Sequence, residues 1–265
     1  MNPANMPIRY DQVTPGEWIS VNAEIIVETP VTLTVNGEPW LTFMCTPVDL
    51  EAMAVGFLFN EDLIQSKAEI ADVRLCDAGD NVDVWLIHSL DKPLSWRRTS
   101  GCTGGVTSVQ YNGQIKPVTN GGVLSAERVG ELVAQLFESQ ELYRTTGGVH
   151  TSAISDGRRV VLAAEDIGRH NTLDKLAGRL LLEGIDLPRK IILTTGRISS
   201  EMLQKANRMG ASVVISRTSP SSLSIELAQQ YGVTLIGYAR RNRFNLYSHP
   251  ERIVSLQEYA QKSGS

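Results

Sequence analysis

One cysteine lies in a segment whose composition suits sulfur chemistry. Residues 97–105 read RRTSGCTGG, so glycines flank Cys102, and Arg97 and Arg98 precede it closely. A run so rich in glycine does not suit a core strand, and we expect its thiol to be accessible. Nucleophilic sulfur chemistry needs a thiolate, which neighbouring cations stabilise. Because five extended residues span about 16 Å, activation by either arginine requires the loop to fold back.

The other two cysteines favour a structural role. Cys45 and Cys76 lie within or at the end of apolar, strand-like runs, where cysteine usually behaves as a small hydrophobic residue. The sequence contains no CxxC pair, and the zinc deaminase signature H-x-E with a later P-C-x-x-C is missing, so we predict neither a disulfide scaffold nor a metal site. Taken alone, Cys102 is also consistent with an inert thiol in a hinge.

Two further segments place polar groups next to predicted strands. His150 leads into a strand and can orient a thiol or bind a phosphate oxygen, although a structural histidine is the simpler interpretation. Residues 165–171 (EDIGRHN) lie between a strand and a helix and bring Arg169 and His170 together with two acids. Since α/β proteins build sites in such loops, we predict a functional role, with a solvated loop as the alternative.

Hydroxyl-rich loops recur further along the chain. Residues 194–201 (TTGRISSE) place hydroxyls at a predicted helix N-terminus, where backbone N–H groups favour a phosphate and Arg197 can make a bidentate contact. No G-K-[ST] follows, so this is not a Walker loop. Residues 217–221 (RTSPS) form a similar loop, in which Ser219 or Ser221 can instead serve only as a helix cap.

The segment after the last predicted strand concentrates three arginines in an acidic chain. It consists of Tyr238, Ala239, Arg240, Arg241, Asn242 and Arg243. Arginines hold a diphosphate through paired hydrogen bonds, and Tyr238 is available to stack on a base. The alternative is a solvated run of charge.

Strand and helix patterns in the second half place these loops at one end of a sheet. The predicted strands are 150–155, 159–164, 191–194, 213–216 and 234–238, and the predicted helices are 172–182, 199–209 and 221–230. This alternation predicts a layered α/β domain with a substantially parallel sheet. Ligands of such sheets bind beyond the carboxyl ends of the strands.

The first half has a different pattern. Residues 23–35 and 38–45 predict a β-hairpin that turns at Asn36-Gly37, and residues 48–63 predict a helix capped by Asp49. Residues 71–88 predict one or two strands, followed by a loop over residues 91–105.

A turn-rich stretch that ends at Gly121-Gly122 precedes an amphipathic helix from Ser125. We therefore predict a smaller α+β domain over residues 1–122 and an α/β domain over residues 123–265.

Composition excludes several classes of protein. The 265 residues are 42% hydrophobic and 20% charged, as in a packed globular protein. A net charge of -4 argues against general binding to nucleic acid. No apolar run approaches the roughly 20 residues of a membrane helix, and the first twenty residues lack a signal-peptide core. We therefore expect a cytoplasmic protein that does not enter membranes.

Together the segments resemble the FdhD family of formate dehydrogenase accessory proteins, which are sulfur carriers for molybdenum- or tungsten-dependent formate dehydrogenases. The resemblance spans nearly the whole chain through ETPVTLTVNG, DLEAMAVGFLFNEDLI, RRTSGCTGG, TGGVHTSA, EDIGRHNTLDKLAG, TTGRISSEMLQKA and GYARRNRFNLYSHPERI. Seven segments in this order are far more specific than any one of them.

The resemblance implies that Cys102 accepts sulfur from a cysteine desulfurase as a persulfide and passes it to the bis(molybdopterin guanine dinucleotide) cofactor of formate dehydrogenase. It implies that residues 238–243 contact the guanine nucleotide of that cofactor, and that the second domain resembles the cytidine deaminase fold without its metal ligands. Further candidate cofactor contacts are His150, Arg169, His170 and Arg197. The sequence does not decide between a monomer and a homodimer.

One position departs from the family pattern. Many members carry CxxC in this loop, whereas Gly105 replaces the second cysteine here, so transfer must use a single thiol. Two alternatives remain open. The first is a chaperone that binds and inserts the cofactor without sulfur chemistry, and the second, weaker one is a metal-dependent deaminase or hydrolase.

Overall fold

The computed structural model describes residues 3–93, 96–98, 106–108, 117–118 and 121–255. The strands of the first half are β1 (Asn5–Thr14), β2 (Glu17–Ile26), β3 (Thr29–Val35), β4 (Glu38–Cys45), β5 (Ile70–Leu75), β6 (Asn81–Leu86), β7 (Trp96–Arg98) and β8 (Val106–Ser108). Those of the second half are β9 (Leu124–Ser125), β10 (His150–Ser155), β11 (Val160–Asp166), β12 (Lys190–Thr194), β13 (Ala211–Ser216), β14 (Thr234–Gly237), β15 (Asn245–Ser248) and β16 (Ile253–Val254).

The helices are α1 (Leu50–Asn60), α2 (Ala126–Glu138), α3 (Leu142–Thr146), α4 (Arg169–Leu182), α5 (Ser200–Arg208) and α6 (Ser222–Tyr231). Single turns of 3₁₀ helix cover Lys67–Glu69 and Pro250–Arg252. Each helix and strand predicted for residues 150–238 is present, and its bounds differ from the prediction by a few residues at most. This part of the secondary-structure prediction is confirmed.

A four-stranded sheet in the order β4-β3-β6-β5 forms the centre of the first half. β3 and β4 make the predicted hairpin, in which both turn residues, Asn36 (φ 49°) and Gly37 (φ 81°), have positive φ. Two-residue turns of this kind match the twist of the paired strands. The predicted helix packs on one face of the sheet as α1, with Met53 and Phe57 fully buried.

The start of α1 differs from the prediction. Asp49 does occupy the N-cap position, but its backbone is left-handed (φ 52°) and its side chain makes no capping hydrogen bond. The Asp49 prediction is therefore right in position and wrong in mechanism. Since α1 is apolar nearly all round, burial against the sheet and α4 stabilises it without that cap.

The second half is built on a six-stranded sheet in the order β11-β10-β12-β13-β14-β15. β12, β13 and β14 pair parallel, whereas the other neighbours pair antiparallel. The predicted α/β layering is present, but the expectation of a substantially parallel sheet is wrong. β10 and β11 are joined by the tight turn at Asp156-Gly157, which only antiparallel strands can use, and the crossover helices α5 and α6 restrict parallel pairing to three strands.

Helices cover both faces of this sheet. On one face α2 packs Leu132 and Leu136 against Ile191 and Leu193 of β12. On the opposite face α4, α5 and α6 pack against a second cluster that contains Ile192. Successive residues of β12 therefore point into two cores, as expected for a strand buried on both sides.

The two halves meet where α1 crosses α4 without intervening side chains. A Cβ atom added to Gly56 would overlap the carbonyl oxygen of Asp174, and one added to Gly178 would overlap that of Ala52. Two buried ion pairs lie beside the crossing, Lys175 with Asp166 at 2.7 Å and Lys205 with Asp174 at 2.7 Å. The boundary at residue 122 and the likeness to cytidine deaminase stay predictions.

Two predictions for the first half need correction. The segment 91–105 is not loop throughout, because β7 pairs antiparallel with β8. The partner strand β8 lies beyond the predicted loop. Its pairing with β7 satisfies backbone N–H and C=O groups, which does not depend on the local composition. The run 23–35 is not one strand, because the chain leaves β2 at Ile26 and starts β3 at Thr29, in a different sheet.

Within the described ranges, no helix combines the length and the apolar composition that crossing a membrane requires.

Candidate functional site

The loops that follow β12, β13 and β14 meet at the carboxyl end of the parallel strands. The backbone N–H of Arg217 donates to the carbonyl oxygen of Thr194 at 3.1 Å, and that of Tyr238 donates to Thr218 at 3.0 Å. Parallel neighbours must end at the same edge of a sheet, so these contacts follow from the topology. The predicted convergence of the three loops is confirmed.

His150 joins the same end from the antiparallel strand β10. Its ring Nδ1 lies 3.4 Å from the hydroxyl of Thr195, and that hydroxyl accepts a hydrogen bond from the backbone N–H of Thr151 at 3.0 Å. Because β10 runs opposite to β12, its first residue lies beside the last residues of β12. The imidazole is therefore half-buried at the edge of the candidate site.

Arg169 and His170 open helix α4 at this end of the sheet. Both residues are buried, with 8% and 5% of their surface exposed. His170 Nε2 lies 3.4 Å from Ser199 Oγ and 3.6 Å from a carboxylate oxygen of Glu201, and Ser199 donates to the same carboxylate at 3.0 Å. This arrangement fixes the imidazole between α4 and α5.

The two histidines are held in their neutral form. Burial lowers the pKa of His150, and the nearby Arg169 guanidinium lowers it further. Burial lowers the pKa of His170 well below its ordinary value, and Lys205 adds to the effect. A neutral imidazole has one N–H to donate and one nitrogen to accept, so both rings can bind a ligand without adding positive charge.

These pKa shifts predict that acid destabilises the fold near neutral pH. Below the ordinary histidine pKa of 6.5 the unfolded chain binds protons that the folded protein excludes, so the free energy of unfolding falls as pH decreases. Each histidine contributes at most about 1.4 kcal/mol per pH unit. Chemical denaturation from pH 7 to pH 5 should show this loss, and His150→Gln with His170→Gln should reduce it.

His88 provides the matched control for this pH dependence. The carbonyl of Ser89 and the carboxylate of Glu69 raise the pKa of His88, so its contribution to stability has the opposite sign. His88→Gln should leave the acid-induced loss in place or steepen it. Two results would contradict the prediction. One is a free energy of unfolding that stays constant from pH 7 to pH 5, and the other is a decrease that the variant His150→Gln with His170→Gln leaves unchanged.

A cavity of about 220 Å³ opens between the N-termini of α5 and α6. It is lined by Arg169, Arg197, Ser199, Ser219 and Ser221 among others. Arg197 is exposed at its rim, whereas Arg169 belongs to its buried wall. Two helix N-termini, two guanidinium groups and several hydroxyls favour an anionic ligand such as a phosphate.

Both helices at this cavity begin with a capping serine. Ser199 accepts a hydrogen bond from the backbone N–H of Met202 at 3.4 Å, and Ser221 accepts one from Ser224 at 3.2 Å. The capping alternative that the sequence left open for Ser221 is therefore present. Capping uses the lone pairs of these hydroxyls, so a ligand in the cavity would receive its hydrogen bonds chiefly from the arginines and the first backbone N–H groups.

The arginine segment divides between two sides of the protein. Tyr238, Arg240 and Arg243 line a cavity of about 310 Å³. Arg241 and Asn242 line a different cavity, which they share with acidic residues of α2, and Ala239 is buried. The segment is therefore not one continuous contact surface, and the loop turns so sharply that Tyr238 has a φ of +51°.

Two residues that shape this segment were not predicted as site residues. Arg217 Nη1 donates to the carbonyl oxygen of Ala239 at 2.8 Å, and its guanidinium lies 4.6 Å from the ring centre of Phe137. Gly130 of α2 lies against the carbonyl of Arg241 so closely that an added Cβ would overlap it. A glycine in the middle of a predicted helix was the only sequence signal for this contact.

Cys102 lies outside the described residues. Arg97 and Arg98 belong to β7, whose pairing with β8 brackets residues 99–105 in the sequence. Cys45 is fully buried, and burial raises the pKa of its thiol to about 12, in agreement with a structural role. Cys76 is half-buried and donates to the carboxylate of Asp80 at 3.0 Å.

No group of three or more histidine, cysteine, aspartate or glutamate side chains in the described part of the chain has the geometry to hold a metal ion.

Comparison with known proteins supplies the family. The profile of the FdhD/NarQ family matches residues 26–254. A protein named sulfur carrier protein FdhD from Bacillus subtilis is 36% identical over 251 residues, which cover 92% of this chain and 95% of the relative. A protein of the same name from Staphylococcus haemolyticus is 35% identical over 256 residues, or 94% and 96% of the two chains.

A solved structure agrees with these relatives. The crystal structure of a protein described as a formate dehydrogenase accessory protein from Desulfotalea psychrophila is similar to this one with a TM-score of 0.83. It is 29% identical in sequence, and the alignment covers 95% of this chain and all of the other. The family profile, the relatives and the solved structure thus agree over most of the chain. The chain belongs to the FdhD/NarQ family.

Proposed function

We propose that this protein carries sulfur on Cys102 from a cysteine desulfurase to the bis(molybdopterin guanine dinucleotide) cofactor of a molybdenum- or tungsten-dependent formate dehydrogenase. Membership of the FdhD/NarQ family and the names of the relatives support the carrier role. The cofactor is cargo in this proposal, and the protein binds it by its nucleotide part.

The observation that carries the proposal is the concentration of arginines at one end of the six-stranded sheet. Arg169 and Arg197 line one cavity there, and Arg240 and Arg243 line another. The chain as a whole has a net charge of -4, so this end differs in charge from the rest of the protein. A diphosphate that links two larger groups matches guanidinium groups that approach it from separate loops.

The remaining groups at this end suit the other parts of a guanine nucleotide. Tyr238 is exposed beside two arginines, where its ring can stack on a purine. His150 and His170 supply neutral hydrogen-bonding groups, which can recognise hydroxyl or base oxygens. Cations therefore face the phosphates, while uncharged groups serve the nucleoside.

The first sulfur-transfer step, from the desulfurase to Cys102, needs one thiolate and no external oxidant or reductant. The Cys102 thiolate attacks the terminal sulfur of the desulfurase persulfide, the existing S–S bond breaks, and the desulfurase cysteine leaves as a thiolate. Cys102 then carries the persulfide. In the second step an electron pair of the cofactor's acceptor atom forms the bond to the outer sulfur, the S–S bond breaks, and Cys102 leaves as a thiolate. Because Gly105 occupies the position of the second family cysteine, a single thiol performs both steps.

Loading of sulfur onto Cys102 tests the proposal directly. When the protein is incubated with a cysteine desulfurase and cysteine, intact-mass measurement should show one added sulfur atom, which cyanide removes. Cys102→Ala should gain none and should fail to activate formate dehydrogenase in a strain that lacks its own accessory protein. Cys76→Ala is the matched control, since Cys76 has a partly exposed thiol, and it should behave like the unmodified protein.

Two outcomes would overturn the sulfur-carrier proposal. The first is an equal mass gain on the Cys102→Ala protein. The second is full activation of formate dehydrogenase by Cys102→Ala, which would favour a chaperone that binds and inserts the cofactor without sulfur chemistry.

A further inference from the structure

Two arginines at the carboxyl end of the parallel strands share one backbone acceptor. Arg217 Nη1 donates to the carbonyl oxygen of Ala239 at 2.8 Å, and Arg240 Nη1 donates to the same oxygen at 2.9 Å. Arg240 Nη1 also donates to the carbonyl oxygen of Arg217 at 2.8 Å. Because both guanidinium groups contact a single oxygen atom, they are close neighbours. We call Arg217 and Arg240 the arginine pair.

Among the residues that the structure describes, no carboxylate forms an ion pair with either member of the arginine pair. Both side chains donate to neutral backbone carbonyls instead. Both residues are half-buried, so water screens the repulsion between them less than it would on an open surface. Burial lowers the pKa of Arg217, and the charge of Arg240 lowers it further. The pair is therefore a concentration of positive charge that the described part of the protein leaves uncompensated.

The contacts of Arg240 leave its phosphate-binding edge available. Its Nη1 donates to two carbonyl oxygens, whereas its Nε and Nη2 make no hydrogen bond to a described residue. Nε and Nη2 lie on the same edge of a guanidinium group, and two parallel N–H groups on one edge make bidentate contacts with a phosphate. Arg240 also lines the cavity of about 310 Å³ beside Tyr238. One nitrogen thus anchors the side chain, and the other two remain for a ligand in the cavity.

We propose that Arg217 is a positioning residue for the phosphates of the nucleotide, which it favours by holding Arg240 in place and by adding its own positive charge. The inference rests on the proposed function, which requires this protein to bind a guanine nucleotide. Of the described residues, Tyr238, Arg240, Arg243 and Asn245 line the cavity and Arg217 does not, so Arg217 acts from behind Arg240. An anion held at Arg240 reduces the repulsion within the arginine pair, so the pair raises the affinity for that anion.

The charge of Arg217 is more than the local structure needs. Arg240 alone supplies a hydrogen bond to the carbonyl oxygen of Ala239, and one hydrogen bond satisfies a buried carbonyl. Without an anion, a second cation at this oxygen adds repulsion. The Arg217 guanidinium lies 4.6 Å from the ring centre of Phe137, and this cation–π contact offsets part of the repulsion. A cation held in this way serves a negatively charged ligand better than it serves the fold.

Binding of GDP and GMP to variants of Arg217 tests the inference. The two probes share the base and the sugar, but GDP has one more phosphate, so the charge of Arg217 acts more strongly on GDP. Arg217→Gln should weaken GDP binding by about tenfold and GMP binding by a smaller factor, so the preference for GDP should decrease. Arg217→Lys keeps the charge and should retain that preference. Isothermal titration calorimetry measures the affinities, and urea unfolding shows that each variant is folded.

Arg74→Gln is the matched control for the loss of one charge. Arg74 is exposed on β5, in the sheet of the first half, so its removal should leave the affinities for GDP and GMP unchanged.

Three results would overturn this inference alone. The first is an Arg217→Gln protein that binds GDP as tightly as the unmodified chain. The second is an equal weakening of GDP and GMP binding, which would mean that Arg217 has only a structural role. The third is an Arg217→Lys protein that loses the preference for GDP as Arg217→Gln does. An unmodified chain that binds neither nucleotide would also overturn the nucleotide part of the proposed function, so the two failures are distinguishable.

Discussion

Gly178→Ala is expected to lower the free energy of unfolding by about 3 kcal/mol or more, because the added methyl group has no room. The atom it would overlap is the carbonyl oxygen of Ala52 in α1, which cannot move without displacing the whole helix. Gly56 makes the reciprocal approach to α4 at Asp174, so Gly56→Ala should have an effect of similar size. Equilibrium unfolding in urea measures both.

Gly210→Ala separates this packing effect from backbone strain. Gly210 has a φ of +81°, but nothing lies within 4 Å of the position of an added Cβ. Gly210→Ala, which places an alanine in the left-handed conformation, should therefore lower the free energy of unfolding by only about 1–2 kcal/mol. If Gly178→Ala were no more destabilising than Gly210→Ala, the prediction would be contradicted. The result would mean that α1 and α4 can move apart without a decrease in the free energy of unfolding, so that their close crossing does not stabilise the fold.

The α1–α4 crossing also bears on the candidate site. α4 begins with Arg169 and His170, so a shift of its axis moves two site residues at once. Buried polar contacts reinforce the position of α4, since Asp166 accepts the backbone N–H of Thr46 at 3.0 Å, and Lys175 donates to the carbonyl of Thr46 at 3.1 Å. The first half of the chain thereby orients the helix that carries part of the anion site.

Local sequence patterns were enough to predict most elements of the second half. Residues such as Ile191 to Leu193 form short apolar runs between helices, and a strand buried on both faces needs such a run. Strand direction is a different kind of information. Strand direction depends on how each connection crosses the sheet. The turn at Asp156-Gly157 was visible in the sequence, but the antiparallel pairing of β10 with β12 was not.

The candidate site was predictable in its location and less so in its shape. Three loops had to meet once their strands were neighbours, so the grouping of Arg197 with Arg240 and Arg243 followed from the order of elements. Which way each side chain of the arginine segment points depends on the turn at Tyr238 and on the contact between Gly130 and Arg241. The turn leaves no pattern in the local sequence, and the contact leaves only a glycine in the middle of a helix.

The ribbon that β1 and β2 form illustrates a further limit of local patterns. Its strands alternate apolar and polar residues, but turns and prolines in the first thirty residues obscure the pairing of β1 with β2. An apolar face that is exposed in the structure cannot be distinguished in sequence from one that is buried in a core, because alternation shows only that one side of a strand is apolar.

The divided arginine segment leads to the second prediction. Arg240→Ala with Arg243→Ala should weaken binding of GDP, used as a probe for the nucleotide part of the cofactor, by at least about 100-fold. Each guanidinium can make charge-assisted hydrogen bonds worth about 1.5–3 kcal/mol, and every 1.4 kcal/mol is about tenfold in affinity. Isothermal titration calorimetry at fixed salt measures the change.

Neighbouring residues supply the control for this experiment. Arg241→Ala with Asn242→Ala removes an arginine from the same four-residue stretch, but on the side that faces α2, and should change GDP affinity by less than about threefold because exposed charges act weakly at a distance. Arg240 also donates to the carbonyl oxygens of Arg217 and Ala239 at 2.8 and 2.9 Å, so urea unfolding of the first variant must exclude a general loss of structure. If the control variant weakened binding by about half as much in free energy as the first variant, net charge, and not the cavity beside Tyr238, would attract the nucleotide, because the control removes one arginine and the first variant removes two. Unchanged affinity in the first variant would remove this cavity from the proposed cofactor site.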